Sequence, residues 1–233
     1  MQSTTNTISW ICVSQTLFII IYLLIRHQKK ADYLLCLIIV NLGIAATIKF
    51  SHTLMVLNAC YPVLGIVTTI SIYLFTKYIT NEYKHFWLKD LLHFVLPAIM
   101  IIISVIVGWE VRGKSLSIMD IMAMHPITIK FSQYFFFASI VIYYVASFLR
   151  IRQFRKQIVD TYSFLKEQLQ LRWLIAFLIA FLIYNLLNTI SAVFHYNGYS
   201  NVIPNSITTL FTLAMIYLLS FGGIMQKQLV MAD

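Results

Sequence analysis

Charge is what this chain has least of. Only 11% of its 233 residues are Asp, Glu, Lys or Arg, while 60% are hydrophobic; a soluble domain typically carries about 25% charged residues. Too little polar surface is left after burial to face water, which excludes an ordinary soluble globule. Glycine and proline are sparse as well, at seven and four residues, and one compact bundle accounts for the length without a second domain. The three cysteines, Cys12, Cys36 and Cys60, lie in or beside apolar segments with no pair at metal-ligand spacing. They read as small buried hydrophobes, not as a disulfide or zinc framework.

Of the two signs of charge, the acidic is the scarcer. The eight acidic residues fall in loops, in tails or at the borders of apolar segments, so no carboxylate sits mid-membrane to relay a proton or neutralise a cation. That argues against ion-coupled transport and intramembrane proteolysis, which usually need such groups. Neither HExxH nor GxSxG occurs, and no haem, flavin or nucleotide signature is present. We therefore expect no catalytic residue, no metal and no cofactor. No internal repeat divides the chain into the similar halves that many transporters show.

What the sequence does have is apolar segments. Seven can be read, at about 8–25, 33–50, 56–76, 91–109, 131–149, 173–194 and 204–222, each near the length that crosses ~30 Å of hydrocarbon. Asn41 weakens the second, and Ser and Thr weaken the seventh. All should be helices, because lipid leaves unpaired backbone groups unsatisfied. The N-terminal MQSTTNTIS has no basic region ahead of the first segment, which reads as a retained span and not a cleaved leader.

The net charge of +9 fits a membrane better than nucleic acid, and no nucleic-acid contact is expected from this segment. Thirteen of the 17 basic residues lie in the first, third and fifth loops and the C-terminal tail, and four (Lys49, Arg112, Lys114 and Lys130) lie on the other side. Basic residues gather on the cytoplasmic side. The expected fold is thus an all-α polytopic bundle of seven transmembrane helices, N-terminus outside and C-terminus cytoplasmic.

Six of those cations crowd between Arg150 and Arg172. Ile151, Phe154, Ile158, Tyr162, Leu165, Leu169 and Trp173 recur there at helical spacing, with Arg152, Arg155 and Lys156 mostly off the stripe. The fifth and sixth spans are expected to extend as helices into the cytoplasm and turn near Asp160–Ser163. Two roles stay open: packing the extensions while the cations meet anionic lipid, or carrying movement to a cytoplasmic partner through Arg152, Arg155, Lys156 and Trp173.

Candidate ligand positions are fewer. The loop at 110–130, with Trp109 at its edge and Arg112, Asp120 and His125 within it, holds most of the outward chemistry; a small ligand from outside or from the membrane would be sought beneath it. YNLLNT at 184–189 places Tyr184 and Asn188 four apart. Such groups face inward and bond to other helices, or they line a small polar cavity. His93, entering the fourth span in DLLHFVLP, is expected to satisfy a neighbouring carbonyl or hydroxyl, and Pro97 marks a kink.

Four stretches carry a resemblance. IYLFTKYIT at 72–80, DLLHFVLP at 90–97, LQLRWL at 169–174 and MIYLLSFGGIMQKQ at 215–228 are similar, in that order, to landmarks of the seven-transmembrane N-terminal sensor region of Bacteroidetes membrane-bound AraC-type transcriptional regulators. The chain departs from that pattern at Thr68, Thr69 and Ile70, where the family often has Gly–Pro. The resemblance implies a sensor-like domain over 1–226 and a short cytoplasmic tail at 227–233, and leaves open an output domain following it or a freestanding version whose partner is separate. It further implies a multi-pass protein of the bacterial inner membrane, in contact with membrane lipids, that passes a signal to a cytoplasmic output domain or partner protein. A homodimer follows where that output binds paired DNA half-sites. Competing readings are a small-solute transporter or channel and, behind it, a membrane enzyme.

Overall fold

The computed structural model describes residues 2–25, 30–48, 55–80, 88–110, 126–161, 171–196 and 205–230. They form α1 (Gln2–Ile25), α2 (Lys30–Ile48), α3 (Met55–Thr80), α4 (Leu88–Glu110), α5 (Pro126–Thr161), α6 (Arg172–Tyr196) and α7 (Asn205–Val230). No strand occurs among the described residues. Each helix covers one of the apolar segments read from the sequence.

Five helices are long and apolar enough to cross a membrane, through Thr7–Ile25, Val63–Thr80, Lys89–Val107, Tyr134–Lys156 and Arg172–Ser191. The chain is a helical membrane protein. In α2 and α7, helices of 19 and 26 residues, the described apolar stretches are Asp32–Ala46 and Ile207–Gly222. α2 packs on α1, α3 and α7, and α7 packs on α6, α1 and α2. The inward faces of these two helices bury Asn41, Thr208, Thr209 and Thr212, where lipid does not impose its apolar requirement.

α3 is the hub, packed against α2, α4 and α5. Two thirds of its apolar stretch (67%) is buried, against 17% for α4. The core joins Leu35, Ile38 and Ile39 of α2, Ile66, Ile70 and Leu74 of α3, Leu174, Phe177 and Leu178 of α6, and Ile216 and Leu219 of α7. These recur every three or four residues, as one face of a helix must. α4 turns Leu92, Val95, Ile99, Ile102 and Ile106 outward, the surface expected of a helix in lipid. At Gly65 of α3 a Cβ would lie 2.6 Å from Cε2 of Phe136, so only glycine lets the α5 ring sit against the α3 backbone.

The polar residues Thr68, Thr69, Ser71 and Thr76 of α3 are buried, and their hydroxyls bond within their own helix. Thr68 donates to Leu64 O (2.8 Å), Thr69 to Gly65 O (2.8 Å), Ser71 to Val67 O (2.7 Å) and Thr76 to Ile72 O (2.8 Å). The carbonyl four residues earlier is the nearest acceptor a Ser or Thr has in a helix, and using it satisfies the hydroxyl with no help from a neighbour.

α5 is 36 residues long, about 54 Å at 1.5 Å per residue, and so overshoots a hydrocarbon layer of ~30 Å. The helical extension expected of the fifth span is present as far as Thr161. The matching extension of the sixth, over 162–170, lies outside the described residues.

Candidate functional site: a polar latch at the basic end of the bundle

The segment 81–87 joins α3 to α4, two helices that pack together, so the end of one meets the start of the other. Lys77 occupies the last turn of α3 and Asp90 the first turn of α4. A helix favours a cation at its C-terminus and an anion at its N-terminus, and the connection brings those two ends side by side. Lys77 Nζ lies 2.5 Å from Asp90 Oδ1, and Tyr78 Oη donates to Asp90 Oδ2 at 2.6 Å. The Asp90 side chain is 3% exposed and that of Lys77 28%. A carboxylate withdrawn from water needs donors on both oxygens; here both have one.

Two further contacts tie α5 to the same end. Arg150 Nε donates to Thr80 Oγ1 at 3.2 Å, linking α5 to the last residue of α3. His93 Nδ1 and Tyr143 Oη share a hydrogen bond of 2.8 Å, linking α4 to α5. The ring of Tyr73 from α3 stands edge-on to His93 at 5.9 Å and tilted against Tyr143 at 5.5 Å between centroids. Three helices thus meet in one aromatic and hydrogen-bonded cluster. The hydroxyl expected as the partner of His93 is that of Tyr143.

Trp173 belongs to the same end. It opens α6, meets Phe75 of α3 edge-on at 6.1 Å and lies over Gly222 of α7, where a Cβ would stand 2.2 Å from Trp173 Cε3. The indole plane therefore lies on bare α7 backbone. Its Nε1 is buried without a hydrogen-bond partner. Trp173 and Gly222, both carriers of the family resemblance, turn out to be one contact.

The remaining candidate residues are scattered. Trp109 is 66% exposed near the end of α4, whereas Tyr184 is 5% exposed on the inner face of α6. Asn188 Nδ2 donates to Tyr184 O at 2.8 Å, and Asn185 Nδ2 to Phe181 O at 2.7 Å, so these amides cap carbonyls of their own helix. Arg112, Asp120 and His125 lie outside the described residues. Arg152 and Lys156 are exposed and Arg155 half-buried beyond Arg150 on α5, while Ile151 between them is buried. The inward stripe read from the sequence is present at Ile151 and Phe154.

Sequence reasoning located His93 but missed Asp90, Lys77, Tyr143 and Arg150 as partners. One signal was there: a lysine closing the third span and an aspartate opening the fourth must lie on one side of the membrane. Tyr143 gave no such sign, because only packing places it beside His93.

Comparison with protein families, curated proteins and solved structures finds no match to the chain. Among the described residues, no three His, Cys, Asp or Glu side chains stand together as metal ligands. Chemically, an ammonium and a phenol meet a carboxylate, and an imidazole meets a second phenol. Groups arranged this way hold helices to one another.

Proposed function

We propose that this chain is a membrane-embedded sensor or receptor module. In this reading all seven helices cross the bacterial cytoplasmic membrane, with the N-terminus outside and the basic end in the cytoplasm. The module passes a signal from the bundle to a cytoplasmic output, a DNA-binding transcriptional regulator, as the resemblance of its landmark stretches implies.

The observation that carries the reading is the continuity of α5. One unbroken helix is tied to α4 through Tyr143 and to α3 through Arg150; it then runs on to exposed Arg152 and Lys156. A helix is stiff over such a length, so a shift at the His93–Tyr143 contact reaches the far end with little loss. Signalling bundles need such an element with two discrete arrangements, and the latch supplies contacts that can be made or broken.

The test is transcriptional. Deleting the gene in its source organism is expected to alter a discrete set of transcripts. Tyr143→Phe, which removes the hydroxyl that meets His93, is expected to alter the same set while the protein stays at its normal level in the membrane. No transcript depending on the gene, together with solute flux through vesicles holding the purified chain, would overturn the sensor reading in favour of a transporter or channel.

A further inference from the structure

The outward faces of three helices change character at the same end of the bundle. Along α5, Val141, Val145 and Phe148 are exposed apolar residues 60%, 48% and 44% accessible, and the next two positions on that face are Arg152 and Lys156, both exposed. Along α6 the outward face reads, from inside the membrane to the basic end, Leu186, Ile183, Ile179, Ala176 and then Arg172, all exposed. Along α4 it reads Ile99, Leu96, Leu92 and then Lys89, again all exposed. Residues spaced three and four apart share one helix face, so each cation continues a stripe that otherwise meets acyl chains.

That register decides what the cations meet. A side chain on the lipid-facing stripe, one turn past the last apolar residue (Lys89, Arg152, Arg172) or two (Lys156), lies about 6–12 Å beyond it along the helix, within reach of the lipid headgroups for a long cationic side chain. The protein provides no counter-charge to these four among the described residues, where the ion pair is Lys77 with Asp90. By contrast, Lys77 is taken by Asp90, and Arg150 is turned inward to Thr80. The bundle therefore separates two kinds of cation: those spent inside the latch and those left pointing into the headgroup layer.

We propose that Lys89, Arg152, Lys156 and Arg172 form a collar that binds the phosphates of anionic phospholipids. Under the topology proposed above, it grips the inner leaflet. The inference rests on the outward register of α4, α5 and α6 and stands whether or not the chain is a sensor. Because α5 carries two of the four cations, headgroup binding fixes the height at which that helix leaves the membrane. The occupant is a lipid and not an acidic protein, because the cations continue lipid-facing stripes on three separate helices and do not gather on one cytoplasmic face.

The purified full chain should be placed in lipid nanodiscs of phosphatidylcholine with and without phosphatidylglycerol, and the lipid retained on extraction into mild detergent weighed by native mass spectrometry. Wild type is expected to retain phosphatidylglycerol preferentially. The preference should fall about fivefold for each of K89Q, R152Q, K156Q and R172Q and fade in high salt. Each variant changes one exposed side chain, so the fold is kept. Equal retention of both lipids by wild type, or an unchanged preference in all four variants, overturns the collar. So does loss of binding to an acidic partner protein in variants whose lipid preference is intact.

Discussion

Replacing Asp90 with alanine tests the latch most directly. The substitution leaves the Lys77 ammonium and one donor of Tyr78 facing a site from which the carboxylate has gone. Breaking a fully buried ion pair by removing one partner costs about 3–5 kcal/mol. Lys77 is 28% exposed, so water recovers part of that charge, and roughly 2 kcal/mol is the better figure once this screening is included. Loss of the anion from the first turn of α4 is contained in that value, since the macrodipole contributes only about 0.3–1 kcal/mol. For a protein of this size 1 kcal/mol moves the midpoint by about 2–4 °C, which predicts a fall in Tm of roughly 4–8 °C. The assay is thermal unfolding of the purified protein in nanodiscs, followed by far-ultraviolet circular dichroism. The companion variant Lys77→Met/Asp90→Ala removes both charges and fills the space with an apolar chain. It should recover at least half of the loss, because the cost lies in the orphaned charge and not in the missing attraction. If Asp90→Ala melts within a degree of wild type, or the double variant is no better than the single one, the pair is not buried in the way described here and the reasoning fails.

Two other outcomes follow from the geometry. Gly222→Ala should destabilise the bundle by about 1–3 kcal/mol through overpacking, since its Cβ would lie 2.2 Å from Trp173; Trp173→Leu in the same chain should relieve much of that, and a G222A protein as stable as wild type would show that α6 and α7 can part freely. In a background with its cysteines replaced, Lys130→Cys and Lys156→Cys near the two ends of α5 should react with a membrane-impermeant thiol reagent from opposite sides, Lys156→Cys from the cytoplasm. Labelling of both from one side would contradict α5 as a spanning helix, and labelling with the sides exchanged would reverse the proposed orientation.

The membrane class and the position of every helix were legible because the bilayer's demands are local in sequence. A span must be apolar for a fixed length and must pair its own backbone, and both requirements show in any window of about twenty residues. The overshoot of α5 was legible for the same kind of reason: Ile151 and Phe154 keep the helical rhythm past the last lipid-facing leucine. The asymmetry of Lys and Arg suggested a basic end before any packing was known, and the structure places the latch there. Less legible were the polar side chains at 184–189, expected to bond to other helices or line a cavity, where Asn185, Asn188 and Thr189 bond to carbonyls of their own helix.

Tertiary structure alone decided which residues meet. Lys77 and Asp90 are 13 positions apart, His93 and Tyr143 are 50, and no periodicity links either pair. α2 buries Asn41, and α7 buries Thr208, Thr209 and Thr212, because a helix face turned to protein answers to its neighbours instead of to lipid. Sequence determines that a segment is helical and where it meets the headgroups, since those depend on one helix and its solvent. Partnership across the bundle depends on how several helices rotate against one another, and rotation is set only when all the faces pack at once.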